Sequence, residues 1–175
     1  SADVLVGAVI PSGKLPDTIA YDIKDYPSTA NFGSQEKNVY QEDIYVGYRY
    51  FETFAPKCVQ FPFGFGLSYT DFSMEVKKAQ VLGTGAKANV ELQIEVKNTG
   101  IQYAGKEVVQ VYYEAPQGKL GKPARALVVF AKTDVLQPGE AQVLNLNFPV
   151  SSMASYDDCG STGHKSCYVL EPGLY

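Results

Sequence analysis

From Val90 to Lys97 the chain alternates without a fault: Val90, Leu92, Ile94 and Val96 fall on one side, Glu91, Gln93, Glu95 and Lys97 on the other. Successive side chains of a strand point to opposite faces, so this pattern predicts a strand with one buried and one wet face. Asn98-Thr99-Gly100 supplies turn chemistry after it. The same period recurs in "KEVVQVYYE" through Val109, Val111 and Tyr113, and in "VLNLNFPV" through Leu144, Leu146, Phe148 and Val150. In "DFSMEVKKAQVL" it runs through Phe72, Met74 and Val76 and resumes on the other parity at Ala79 and Val81, which predicts a β-bulge at Lys77-Lys78. Gln137-Pro138-Gly139-Glu140 places Pro and Gly where a type II turn needs them. Short strands at this spacing, with almost no helical periodicity, predict an antiparallel β-sandwich over 71–175. Its expected core is Val90, Leu92, Ile94, Val96, Val109, Val111, Leu144, Leu146 and Phe148. No internal repeat or low-complexity segment interrupts the pattern.

Before residue 71 the texture differs. "PSGKLPDT", "DYPSTANFGS" and "APKC" break residues 1–70 into short pieces, which predicts irregular loops around one or two strands and little core of their own. The exception is "DIYVGYRYF", Asp43 to Phe51, where apolar and aromatic residues occupy both parities; it reads as a strand that needs cover on both faces. "FPFGFGLSYT", Phe61 to Thr70, concentrates aromatics around Gly64 and Gly66. Its rings could stack on sugars. Glycines that let backbone pass close to backbone fit a junction better, so the adopted reading is that these rings plug the seam with the sandwich. At the other end, "YVLEPGLY" gives a strand and a Pro-Gly turn and then stops, so the sandwich is expected to lack its last strand and the chain to be cut from something longer.

The 175 residues are 45% hydrophobic and 19% charged, enough to bury a core in one domain or two small ones. A net charge of −4 without a basic run gives no reason to expect nucleic acid or an anionic membrane as partner. Apolar stretches such as Ala126 to Ala131 fall far short of the roughly 20 residues that span a bilayer. Cys159 and Cys167 bracket the short polar loop "GSTGHKS" and are candidates for a disulfide, with Cys58 apart. A zinc site around His164 is the competing reading, but a single histidine and the lack of a CxxC pair leave four ligands unmet, so no metal and no cofactor are expected. His164 alone supports no Ser-His-Asp set, and Gly64 and Gly66 do not lead a strand into a helix as a nucleotide loop would.

Five segments in order, "PSGKLPDT", "NVYQEDIYVGYRYFET", "FPFGFGLSYTDF", "VKNTGIQYAGKEVVQVYYEAP" and "LQPGEAQVLNLNF", resemble glycoside hydrolase family 3, the β-glucosidase family. The resemblance covers nearly the whole chain. Ile10 stands where the family usually has Asn, and Asp17 where an apolar residue is more typical. It implies a mainly β fold: the C-terminal tail of an α/β sandwich domain over 1–70, then a fibronectin type III-like β-sandwich over 71–175. It also implies a parent enzyme that removes terminal β-D-glucosyl or related residues with retention, using an Asp nucleophile on a TIM-like barrel and a Glu acid/base earlier in the α/β domain. Xylosides or arabinosides are alternative substrates, chosen by residues elsewhere.

No catalytic or substrate-binding residue carries over. The chain has no Ser-Asp-Trp, and Thr70-Asp71 and Thr133-Asp134 fall in the sandwich. Retaining hydrolysis needs two carboxyls about 5 to 5.5 Å apart in opposite protonation states, whereas Glu42, Asp43 and Glu52 read as solvated carboxylates at strand ends. The expected role is scaffolding. The partners would be the barrel and α/β domains of the parent, which acts on an oligosaccharide or aryl β-glycoside. A stand-alone fibronectin-like module that binds polysaccharide or protein is the other class, but it would have no use for "PSGKLP" or "YVGYRYF".

Overall fold

A computed structural model describes residues 2–175. In chain order the elements are helix α1 (Ala2–Leu5), strand β1 (Ile19–Ala20), helix α2 (Tyr48–Phe54), β2 (Val59–Phe61), β3 (Phe72–Leu82), β4 (Asn89–Asn98), β5 (Val108–Tyr113), β6 (Ala126–Lys132), β7 (Ala141–Pro149), β8 (Ser155–Asp157) and β9 (Cys167–Val169). The fold is mainly β with antiparallel pairing throughout: β3–β4–β7 form one sheet, β5–β6 a second, and β1–β2 and β8–β9 small ladders.

The alternating sequence sets the register. Opposite one another lie Val90 and Phe148, Leu92 and Leu146, and Ile94 and Leu144. One face of the β4–β7 pair is therefore continuous hydrocarbon. The β5–β6 pair covers it, with Val109 buried and Val111, Val129 and Ala131 packed against Ile94, Val96, Leu144 and Leu146. Each such side chain removed from water contributes about 1.5–3 kcal/mol. Leu136, from the loop before the type II turn, completes the cluster at 2% exposure and was not in the expected core. Val90 is only half-buried.

The bulge forms where the parity changes: pairing with β4 skips from Val76 to Lys78, leaving Lys77 over. The turn forms too, with Gly139 at φ 82 and the Glu140 N–H donating to Gln137 O at 2.9 Å. Before the slip Met74 and Val76 face the core side, and Ala79 and Val81 resume it afterwards, yet Met74, Val76 and Val81 are 50%, 61% and 62% exposed. The covering pair sits toward β7, against which β6 lies, so the flank carrying β3 is open.

Asn98 ties three loops together. Fully buried, it accepts at Oδ1 from Thr70 Oγ1 (2.6 Å) and Gly100 N (3.0 Å), and its Nδ2 donates to Tyr103 O and Leu136 O, both at 2.9 Å. A buried amide with each polar atom partnered fixes those loops in place.

The strand expected over Asp43 to Phe51 does not form. The chain turns at Asp43, φ 50, and at Gly47, φ 59 and ψ −127, and then enters α2. A β-branched or bulky residue resists positive φ, so Gly47 sets the helix start. Once helical, Tyr48 and Phe51 share a face at spacing three, and Phe51 is buried against Tyr26 with ring centroids 5.1 Å apart. A run of aromatics satisfies both periods, and the glycine decides between them.

Candidate functional site

The chain's chemistry-bearing groups gather where residues 2–70 meet the sandwich. α2 lies along this seam and carries the contacts. Glu52 accepts from Arg125 Nε at 2.5 Å and from its Nη2 at 2.7 Å, a two-pronged pair between positions 73 apart in sequence. Arg125 also lies 4.5 Å from the centroid of the Tyr112 ring. The Tyr48 hydroxyl accepts from Leu127 N at 2.8 Å, while its ring packs between Phe63 (4.7 Å) and Tyr112 (5.9 Å). One turn on, Thr53 Oγ1 accepts from Ala124 N at 2.9 Å. Burial and the nearby Tyr48 and Glu52 push the Tyr112 hydroxyl up, partly offset by Arg125. It stays a neutral phenol.

The glycine-rich stretch meets the chain start. Leu15 and the Gly64–Phe65 backbone exchange hydrogen bonds at 2.8 Å, and Lys14 pairs with Glu107 of the sandwich at 2.8 Å. A Cβ on Gly66 would sit 2.4 Å from Gly13 O, and one on Gly64 2.3 Å from the Gln110 side chain. Gly66 is held to glycine by the backbone beside it, and Gly64 by its positive φ of 79. The rings divide, however: Phe63 lies at the seam, whereas Phe61 and Phe65, 5.0 Å apart, line an apolar groove of about 620 Å3 with Pro11, Leu15 and Leu67. Only part of the stretch plugs the seam.

The candidate acids are not brought together. Glu42 is half-buried, Asp43 is exposed in its turn, and Glu52 is engaged by Arg125 on a helix rather than solvated at a strand end. Among the described residues no group of three or more His, Cys, Asp or Glu side chains is arranged to hold a metal ion. His164 is exposed, as are Tyr156 and Tyr168 nearby.

Cys159 lies in the loop after β8 and Cys167 opens β9 opposite Asp157, and both, like Cys58, are free thiols in this structure. Hydrogen bonding and charge from Asp158 push the Cys159 thiol up. Burial, with Asp25 close by, does the same to Cys58. The hairpin tip is organised by Asp157, an anchor the sequence pattern missed. Its carboxylate takes the Thr162 hydroxyl and the N–H groups of Gly160, Ser161 and Thr162 at 2.7–2.9 Å. The Thr162 hydroxyl is the largest cause, and together they hold it at about 2. Glu171 does a similar job farther on, lowered by Lys122 Nζ and by the N–H groups of Lys119 and Leu120.

Residues 1–48 match the sequence profile of the glycosyl hydrolase family 3 C-terminal domain, and residues 107–175 that of the fibronectin type III-like domain. The chain belongs to glycoside hydrolase family 3. It is 53% identical over its whole length to a β-glucosidase of Ruminococcus albus, of which it covers 18%. It is 49% identical to β-glucosidase A of Butyrivibrio fibrisolvens, covering 22% of that protein. Among solved structures, a β-glucosidase from Paenibacillus barengoltzii superposes with a TM-score of 0.96 at 68% identity, over 98% of this chain and 19% of that one. The chain thus spans about a fifth of the length of these relatives.

Proposed function

We propose that this chain is the non-catalytic, scaffolding part of a family 3 β-glucosidase, which when whole removes terminal β-D-glucosyl residues from oligosaccharides or aryl glycosides with retention. The observation that carries the reading is the match over the whole of this chain to a β-glucosidase at 53% identity. The local chemistry supports it. Several acids are committed to structural work, among them Glu52 with Arg125, Glu107 with Lys14, Glu171 with Lys122, and Asp157 in its loop. Covalent glycoside hydrolysis needs two carboxyls facing one bond.

In this reading residues 1–70 are the tail of the α/β sandwich domain and 71–175 the fibronectin type III-like sandwich. Exposed Leu5, Val6, Ile23, Phe32, Tyr40 and Phe54 on the first part would face the barrel and α/β domains of the parent. On the second, the open flank at Met74, Val76 and Val81 is where a further strand would complete the core. The seam contacts of α2 then transmit the rigidity of the sandwich to the α/β domain, keeping catalytic loops in place. Following an aryl β-glucoside with the longer protein by NMR tests the assignment. Glucose released first as the β-anomer is the expected result; the α-anomer, or no hydrolysis of any β-linked pyranoside, would overturn it.

A further inference from the structure

Two clefts, of about 300 and 430 Å3, meet at Ile44 and Arg49 beside α2. Both volumes lie in the range that ligand sites occupy. The smaller lobe is walled by Asp17 and Asp43, with Tyr48 and Phe63 behind them. The larger runs between the sandwich and the β8–β9 hairpin, under Tyr113, Tyr156 and Tyr168, with Ser152 and Ser155 alongside.

Arg49 is the unusual group. The chain's other arginine, Arg125, is engaged by Glu52 and Tyr112, whereas half-buried Arg49 has no carboxylate within ion-pair distance among the described residues. Five guanidinium donors at the junction of two clefts call for acceptors. Tyr156 and Tyr168 add flat surface: they are cross-strand partners, 51% and 74% exposed, with ring centroids 5.1 Å apart. Large amphipathic rings left open on a two-stranded hairpin suit a ligand with an apolar face and a polar rim.

The charges narrow the ligand further. An anion drawn to Arg49 would meet Asp17 and Asp43 in the adjoining lobe and be repelled. A neutral polyol meets no such conflict, because its hydroxyls donate to the carboxylates and accept from the guanidinium while its ring face lies on tyrosine. We propose that this groove is a non-catalytic binding site for a neutral oligosaccharide, taking consecutive pyranose units, one in each lobe. That the units are β-linked glucose rests on the β-glucosidase reading above.

The test reads binding, not hydrolysis, so it stands apart from that reading. The 175-residue chain, isotope-labelled, is titrated with cellotetraose and separately with tetragalacturonate while amide NMR shifts are followed. The expected result is saturable shifts by cellotetraose centred on Arg49, Tyr113, Tyr156 and Tyr168, with weaker binding of the charged sugar. Affinity should fall at least about tenfold, or some 1.4 kcal/mol, in Arg49→Met. The same fall is expected in the double variant Tyr156→Ser, Tyr168→Ser, with unchanged amide shifts across β4 and β7 showing that the sandwich is intact. No shifts with cellotetraose in large excess, unchanged affinity in the double variant, or tighter binding of tetragalacturonate would overturn the proposal. Binding lost while the longer protein still hydrolyses aryl β-glucosides would sink this site alone.

Discussion

Among the described residues twelve apolar side chains are buried, and of these Ala20 and Phe51 lie in the first 70 positions while the other ten lie beyond Thr70. Both stretches are rich in apolar residues, so the difference is one of partners. In the sandwich, Ile94 meets Leu144 across the ladder and Val109 across the core, all within the chain. In the first stretch, Phe32 is 88% exposed, Tyr40 92% and Leu5 82%. Exposed apolar surface of that kind is typical of interfaces, and in the proposed reading it faces the rest of the parent. The sandwich buries its apolar side chains against one another, whereas the earlier segment is moored to the strands by α2 at Glu52, Tyr48 and Thr53 and by Lys14 at Glu107.

That contrast can be broken at several points. Ile94→Ala empties a site at 6% exposure in the main cluster and should cost about 3 kcal/mol by chemical denaturation. A loss below about 0.5 kcal/mol, the surface value, would mean the sandwich is not self-supporting. Phe63→Ala removes a half-buried ring from Tyr48 at the seam and should cost about 2 kcal/mol, less than a fully buried ring because part of its surface is already wet. If it costs nothing, α2 is not moored by this contact.

The two halves were unequally legible in the sequence. Four strands, the bulge at Lys77 and the turn at Gly139 follow from period-two alternation and turn chemistry, which are local and survive without neighbours. The α2 sequence predicts a strand because "YVGYRYF" places apolar groups at both spacing two and spacing three, and the deciding feature is one backbone angle at Gly47. The seam was invisible for a different reason. Arg125 and Glu52 are 73 positions apart, and nothing in either neighbourhood names the other. Asn98 shows its turn chemistry in the sequence, but its burial and its hold on Leu136, 38 residues away, come only from the fold. The groove at Arg49 likewise joins residues from three separated stretches.

The β8–β9 hairpin sharpens the comparison, since it is small yet held by local chemistry. We propose that Cys159 and Cys167 pair under oxidising conditions and leave Cys58 free. Closing so short a loop would stabilise the hairpin by about 2 kcal/mol. Thiol titration of denatured protein after aerobic oxidation should find one free thiol; three would refute the pairing. The smallest effect concerns Asp157. Its carboxyl, held at about 2 in the fold, binds protons less readily than in the unfolded chain. Its contribution is complete above the ordinary carboxylate range near 3.8 and is lost as pH falls toward 2. Amides of Gly160 to Thr162 should lose protection in that window while β4 and β7 keep theirs. Protection independent of pH there would show that the Asp157 hydrogen bonds do not hold the tip.

The central claim is that this chain braces an enzyme whose chemistry lies elsewhere in the longer protein. Turnover of an aryl β-glucoside, measured side by side for the purified chain and the longer protein, tests it most directly. Losing a catalytic carboxyl alone costs many powers of ten in rate, so the chain should show no hydrolysis above background while the longer protein turns over. Hydrolysis by the isolated chain that disappears in Glu42→Gln or Asp43→Asn would contradict the account.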